Sequence, residues 1–482
     1  MPVDGPGLEH SWGLQHAPPE AQEAQSDLES QQLEDVAEHE DATTPVGSKE
    51  SRLSWHKRVR QEARRITLHF PPSWFTVVMG TTITASLLYT FPYQAQWLHY
   101  VAYIVFGLDT VIFALFVIIS AVRYLRWPSI FSLLLRHAQQ SMFLGAFAVA
   151  LDAFVNLCIL VLIPAWGPKF TLFVWALWML ASVVSVVIGI GLPIIQFTRH
   201  EHSLASVTGV MLLPVVGPLV AAAAGGNIAV HLAPEHARFT ICASYVMWGV
   251  GFTMSMLTLS MFYARLTIHK IPQAALTVTI FLPIGPLGQS NYALLRLSSA
   301  LLQLTRESGA AFAAPTQFST NDALGMAIAI YGISIAVGLM LWGIALVWLV
   351  IAVSLLIDMW WVSRLSFNLG WWGFTFPLGT FCSATNQLAL ELDSEAFRVL
   401  GSFFSAVEVV LWLGIASMTT YRAAQGEIFA SPCLIEAGGI PSKGEPVLVR
   451  KYDYVPRISN TRSESVPTMP APNGTRASSS PS

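Results

Sequence analysis

Ten long apolar runs, grouped in five pairs, dominate this chain. They fill residues 72–90, 96–122, 139–163, 169–195, 205–224, 238–264, 273–300, 325–357, 371–390 and 397–422. Each is long enough to cross a hydrocarbon core of about 30 Å. The first members of the pairs begin near residues 72, 139, 205, 273 and 371, at spacings of 67, 66 and 68 residues and then 98. A polar insert at 302–323 stretches the last interval. A period this regular predicts a repeated helical hairpin. Repeats in a membrane protein commonly surround a substrate pathway.

The composition demands lipid as the solvent. Hydrophobic residues make up 54% of the chain and charged residues 11%, with a mean hydropathy of +0.54. A soluble domain covers its surface with about 25% charged residues. The charge that is present sits mainly in the tails. The Glu/Gln/Ser/Pro-rich start and the Ser/Pro/Thr/Arg-rich end read as disordered. The expected organisation is a cytoplasmic tail with a basic juxtamembrane segment at 1–69, a ten-helix transporter domain at 70–422 and a second cytoplasmic tail at 423–482. No secretory signal peptide is recognisable, since a long acidic stretch precedes the first apolar run. Cys158, Cys242, Cys382 and Cys433 show no metal or redox spacing.

Lys49, Arg52, Lys57, Arg58, Arg60, Arg64 and Arg65 precede the first run and place that end in the cytoplasm. Ten spans return the C-terminus to the same side. The inner loops then carry seven Lys/Arg and the outer loops four. The sequon Asn473-Gly474-Thr475 faces the cytoplasm on this topology and stays unused.

The two members of each pair differ. The second ones are smooth and rich in Val, Leu, Ile, Phe and Trp. The first ones are broken by Pro and Gly and carry hydroxyls and amides: Met79-Gly80-Thr81-Thr82-Ile83-Thr84, Pro283-Ile284-Gly285-Pro286-Leu287-Gly288-Gln289-Ser290-Asn291, and Trp371-Trp372-Gly373-Phe374-Thr375-Phe376-Pro377-Leu378-Gly379-Thr380. A proline inside a helix frees a carbonyl. At membrane depth that is tolerated only where protein or water satisfies the backbone. The expectation is an all-α integral membrane protein, with the five odd helices around a central pore and the five even helices outside.

The middle of the inner helices lacks Lys and Arg; Arg296 falls near the outer end of helix 7. A pore of hydroxyls, amides and helix dipoles binds small ions weakly enough to release them. The candidate pathway comprises Thr81, Thr82, Thr84, Gly288, Gln289, Ser290, Thr375 and Thr380. Asp152 and His137 are the candidates for proton coupling. Asp109, Asp358 and Glu408 lie on outer helices or near their ends and read as structural. No Walker-type phosphate loop is present, so ATP drive is not expected, and no cofactor or nucleic-acid site is implied. A membrane-embedded enzyme would need a cluster of His, Cys, Asp or Glu on facing helices. The inner helices offer only Asp152 and the distant His137.

The Gly285-Pro286-Leu287-Gly288-Gln289 and Trp372-Gly373-Phe374-Thr375-Phe376-Pro377-Leu378-Gly379-Thr380 stretches carry a resemblance, together with Leu88-Tyr89-Thr90-Phe91-Pro92-Tyr93, Lys270-Ile271-Pro272 and Ala396-Phe397-Arg398-Val399-Leu400-Gly401. Across about residues 70–422 the chain resembles the tellurite-resistance/dicarboxylate transporter family, which includes slow anion channels, malate permeases and sulfite efflux pumps. The fungal sulfite efflux pumps are the branch most similar to it. The resemblance implies ten helices in five hairpins and plasma-membrane efflux of sulfite or bisulfite. Proton-coupled malate transport is the alternative, and trimeric assembly is also implied. In the anion-channel relatives a phenylalanine on the ninth helix plugs the pore, and Phe376 matches it by motif. The chain departs from the family pattern around helix 3. There His137-Ala138 and Phe147-Ala148-Val149-Ala150 stand in place of His-Pro and Pro-Met-Gly, which implies a straighter helix.

Overall fold

The structure is a computed structural model. It describes residues 55–270, 274–309, 312, 319–362, 367–426, 428–429 and 431–436. Most of both tails, the sequon, Lys49, Arg52, Arg364, Ile271-Pro272 and part of the polar insert lie outside the described residues. Every regular element among the described residues is helical.

Among the described residues, ten long helices run in five sequential pairs. They are α2 (Phe75–Tyr89) and α3 (Gln96–Arg126), α5 (Leu144–Trp166) and α6 (Thr171–Arg199), α7 (Leu213–Ala229) and α8 (Pro234–His269), α9 (Ile284–Ser308) and α10 (Thr320–Val362), then α11 (Thr375–Glu391) and α12 (Glu395–Ala424). Among the described residues three shorter helices flank them: α1 (Trp55–Leu68), α4 (Pro128–Arg136) and α13 (Pro432–Glu436). The two members of each pair pack together. The first members also pack in a closed cycle, α2 on α5, α5 on α7, α7 on α9, α9 on α11 and α11 back on α2. Each second member touches the first member of the next pair as well. It therefore sits in the groove between two inner helices.

Seven helices among the described residues are long and apolar enough to cross a membrane: Gln96–Arg126, Ser141–Trp166, Pro168–Arg199, Gly209–Ala229, Pro234–His269, Thr320–Met359 and Glu395–Ala424. The remaining three of the ten are α2, with 15 residues, α9, with 25 and many polar side chains, and α11, with 17. The chain is a multi-pass membrane protein. Its outer helices show why: on α3 the residues Trp97, Tyr100, Ile104, Leu108, Val111, Leu115 and Ile118 are exposed. Leu98, Ala102, Val105, Asp109, Phe113 and Phe116 on the same helix are buried. Both stripes follow the helical period, so one face of α3 meets protein and the other requires hydrocarbon.

The inner helices have no such asymmetry. All of α7 is buried. Small residues let these backbones approach closely, as expected for helices packed in lipid. A Cβ on Gly288 would lie 2.8 Å from Phe381 N and from the Thr380 carbonyl carbon, so α9 meets the backbone of α11 directly. A Cβ on Gly145 would collide with the Leu213–Pro214 peptide in the same way, seating α5 on α7.

Each inner helix opens with a 3-10 turn, at Pro72–Trp74, Ser141–Phe143, Gly209–Leu212, Ala274–Phe281 and Leu369–Gly373. This corrects the expectation that proline breaks the inner helices. Pro214, Pro286 and Pro377 occupy the first turn of α7, α9 and α11, and Pro72 opens the turn before α2. A missing N–H costs nothing at a helix start. These prolines therefore set where the inner helices begin. Pro218 in α7 is an interior proline, but Pro164 in α5 and Pro193 in the outer α6 are interior too. Helix α5 runs unbroken up to Pro164.

Two stretches assigned to the tails are helical. The basic segment forms α1. After α12 the chain folds back: Phe429 stacks on Trp74 with centroids 5.0 Å apart, and Cys433 and Leu434 are buried with Leu68 and Ile130. These apolar residues are few in a polar stretch, but the α4 and α1 surfaces give them a place to bury.

Candidate functional site: two cavities separated by Phe376

Two cavities lie along the axis of the helix ring. The first, of about 420 Å³, is bordered by the starting ends of the inner helices: Ser73 and Thr76, Gln140, Val210, Leu282, and Trp372. Five helix N-termini thus converge on it, each contributing a positive dipole end. None of the five is capped by a side chain. Ile428 and Pro432 from the folded-back segment also border this cavity.

The second cavity, of about 160 Å³, lies towards the finishing ends of the same helices and has room for several waters. Its lining mixes apolar side chains with polar ones: Asn156 from α5, Asn227 from α7, Gln289, Tyr292 and Arg296 from α9, and Asn386 and Gln387 from α11. Among the described residues Phe376 alone borders both cavities, and its side chain is only 4% exposed. It stands in the first turn of α11, immediately before Pro377, where the 3-10 lead-in gives way to the α-helix.

Of the eight candidate pathway residues, Thr82 and Gln289 line the second cavity. The other six are buried elsewhere. Thr81 Oγ1 lies 2.8 Å from Val77 O and accepts from Trp412 Nε1 on α12 at 3.2 Å. Thr84 Oγ1 lies 2.9 Å from Glu408 Oε1, again on α12. Ser290 presents its carbonyl to Trp248 Nε1 of α8 at 3.0 Å. Thr375 donates to Trp372 O and Thr380 to Pro377 O within α11 and its lead-in. Gly288 makes the close approach described above. Thr82 itself lies 2.6 Å from Asp109 Oδ2 on the outer helix α3.

Asp152 is buried and accepts a hydrogen bond from Ser185 on α6, away from both cavities. His137 lies in the turn before α5, where its Nδ1 accepts from the Gln140 amide at 3.2 Å. Asp109 and Glu408 tie outer helices to α2 through Thr82 and Thr84.

Sequence reasoning passed over the polar group around Arg296. Arg296 Nε donates to Asn227 Oδ1 at 2.5 Å, and Asn227 Nδ2 donates to Asn156 Oδ1 at 2.7 Å and to the Tyr292 hydroxyl at 3.1 Å. Three inner helices are thereby linked by one buried asparagine. The available signal was weak: an arginine one turn after Tyr292 on a helix with many polar residues.

The family described as voltage-dependent anion channel matches residues 69–420. The chain belongs to that family. Its relatives in the voltage-dependent anion channel family include a sulfite efflux pump of Arthroderma benhamiae, 39% identical over 362 residues that cover 75% of this chain and 92% of the relative. A sulfite efflux pump of Saccharomyces cerevisiae is 25% identical, covering 72% and 86%. A malic acid transport protein of Schizosaccharomyces pombe is 21% identical, covering 72% and 76%. The family and these relatives are channels and transporters of anions.

Proposed function

We propose that this chain carries sulfite or bisulfite out of the cell across the plasma membrane. The ten long helices all cross the bilayer as five hairpins, with both termini in the cytoplasm. The anion follows the axis of the inner ring. It enters the larger cavity from the cytoplasm, drawn by five helix N-termini. It passes Phe376 and leaves through the second cavity. The observation that carries this reading is the position of Phe376, the one described residue on the border of both cavities. A ring there closes the path, and a rotamer change opens it. An inside-negative potential drives anion exit by about 2.3 kcal/mol per charge per 100 mV.

A second reading, export or import of a dicarboxylate such as malate, has one observation in its favour. A larger dianion needs a fixed cation, and Arg296 supplies one in the second cavity. Sulfite efflux and malate uptake, measured in parallel in cells lacking their own exporter, separate the two. The leading reading expects sulfite efflux above background without malate uptake, and faster efflux in Phe376→Ala. Malate uptake with no sulfite efflux sinks it. An unchanged rate in Phe376→Ala removes the gate.

A further inference from the structure

We infer that Arg296 is an anion-binding site in the second cavity, built to hold a small oxyanion by the free end of its guanidinium. The inference rests on the reading of the two cavities as one anion path. The Nε–H of Arg296 is committed to Asn227, which is itself only 2% exposed. Asn227 uses both its amide hydrogens on Asn156 and Tyr292. It is fully engaged, and its geometry fixes the arginine against the wall. The two Nη groups of Arg296 meet no acceptor among the described residues, and no carboxylate there forms an ion pair with it.

A cation inside a membrane protein is expensive unless it is paired or serves a ligand. Here the protein orients the fork and leaves its binding edge to the cavity. That edge matches two oxygens of a planar or pyramidal oxyanion. Gln289 and Gln387 line the same small cavity; Gln387 Nε2 already donates to Glu391 Oε1 at 2.7 Å, so Gln289 is the amide left to meet the remaining oxygens. His231, in the turn after α7, feels the same charge: its pKa is lowered by burial and then by Arg296. A single arginine without an ion-pair partner among the described residues also leaves the anion free to exchange, where a cluster of cations would retain it.

The test uses the purified full-length protein and two readouts. One is stabilisation against heat by sulfite, nitrate, phosphate and malate, each titrated separately. The other is the concentration dependence of sulfite flux in proteoliposomes. Arg296→Gln removes the charge, and Arg296→Lys keeps it without the fork. We expect wild type to be stabilised by at least one oxyanion. In Arg296→Gln the half-saturating concentration rises about tenfold or more, as loss of a charge-assisted pair implies. Arg296→Lys falls between the two. Equal stabilisation in wild type and both variants, or none in wild type by any of the four anions, overturns the site. Flux reports separately on the transport reading. If wild type binds an oxyanion through Arg296 but moves no sulfite, the site stands and the sulfite assignment fails. If sulfite flux is robust and its half-saturation is the same in Arg296→Gln, the assignment stands and the site fails.

Discussion

Arg123 donates through Nη2 to the hydroxyl of Ser431 at 3.1 Å, joining residues 308 positions apart. The same guanidinium donates to the carbonyls of Leu68, at 3.1 Å, and Phe70, at 2.7 Å. One fully buried cation at the end of α3 thus holds the entry to α2 and the segment that follows α12. These are the two chain ends of the helical domain, and both border the larger cavity. Arg123→Ala leaves the two buried carbonyls without this donor, at about 1–3 kcal/mol for each unsatisfied group, while the Ser431 hydroxyl keeps its contact with Cys433 Sγ. We expect the unfolding midpoint of the purified protein to fall by several degrees. Ser431→Ala removes this contact and a 3.2 Å contact with Cys433 Sγ, and should cost about 1 kcal/mol. Equal midpoints for Arg123→Ala and wild type would show that the clasp is idle.

His69 lies between these elements and gives the region a pH dependence. Burial, then the charges of Arg123 and Arg65, lower its pKa from the ordinary 6.5. A group whose folded-state value is depressed contributes its full stability above the unfolded value. That contribution is lost as pH falls through the folded value. Stability should therefore hold above pH 6.5 and decline below it. The slope should flatten in His69→Gln, measured as unfolding midpoint against pH in detergent. A slope identical in both proteins would assign the acid sensitivity elsewhere.

The contact of α9 with α11 makes a sharper steric prediction. Gly288→Ala drives a methyl into the Thr380–Phe381 peptide, which cannot rotate away. Overpacking of this kind costs about 1–3 kcal/mol. It should also disturb Phe376, one turn before the contact, so flux should change along with stability. Gly107→Ala on the exposed side of α3 meets nothing within 4 Å and is the matched control. It should be neutral, or stabilising by up to about 1 kcal/mol.

Much of this architecture was legible in the sequence. The all-helical, membrane-spanning character and the smooth outer helices follow from hydropathy, because a lipid-facing face must be apolar. The facing direction of the inner residues was not legible. Helix α7 is buried all round, and α2 nearly so, so no polar stripe marks which side meets the axis. Thr81, Thr82 and Thr84 look alike in sequence, yet only Thr82 reaches a cavity, and Thr81 and Thr84 turn to α12. The prolines misled for a related reason: composition shows that a proline is present, but not whether a helix begins at it. The position of Phe376 on the border of both cavities had no signal in the residues beyond the family motif. Arg296 was passed over because a lone arginine near a helix end resembles an ordinary end cap until Asn227, 69 positions earlier, is seen to orient it.

The contact of Thr84 with Glu408 decides whether an outer acidic residue is structural. Glu408 is fully buried on α12, and its Oε1 lies 2.9 Å from Thr84 Oγ1 on α2. No cation among the described residues pairs with it. Glu408→Gln keeps an oxygen of the same reach as an acceptor for the threonine, so stability should stay within about 1 kcal/mol of wild type. Glu408→Ala removes the acceptor and leaves a void between α2 and α12. That should cost about 2–5 kcal/mol, as other large-to-small changes in packed interiors do. Because α2 carries Thr82 into the second cavity, the alanine variant should also lose sulfite flux, and the glutamine variant should keep it. Flux lost equally in both would mean that the carboxyl itself takes part in transport.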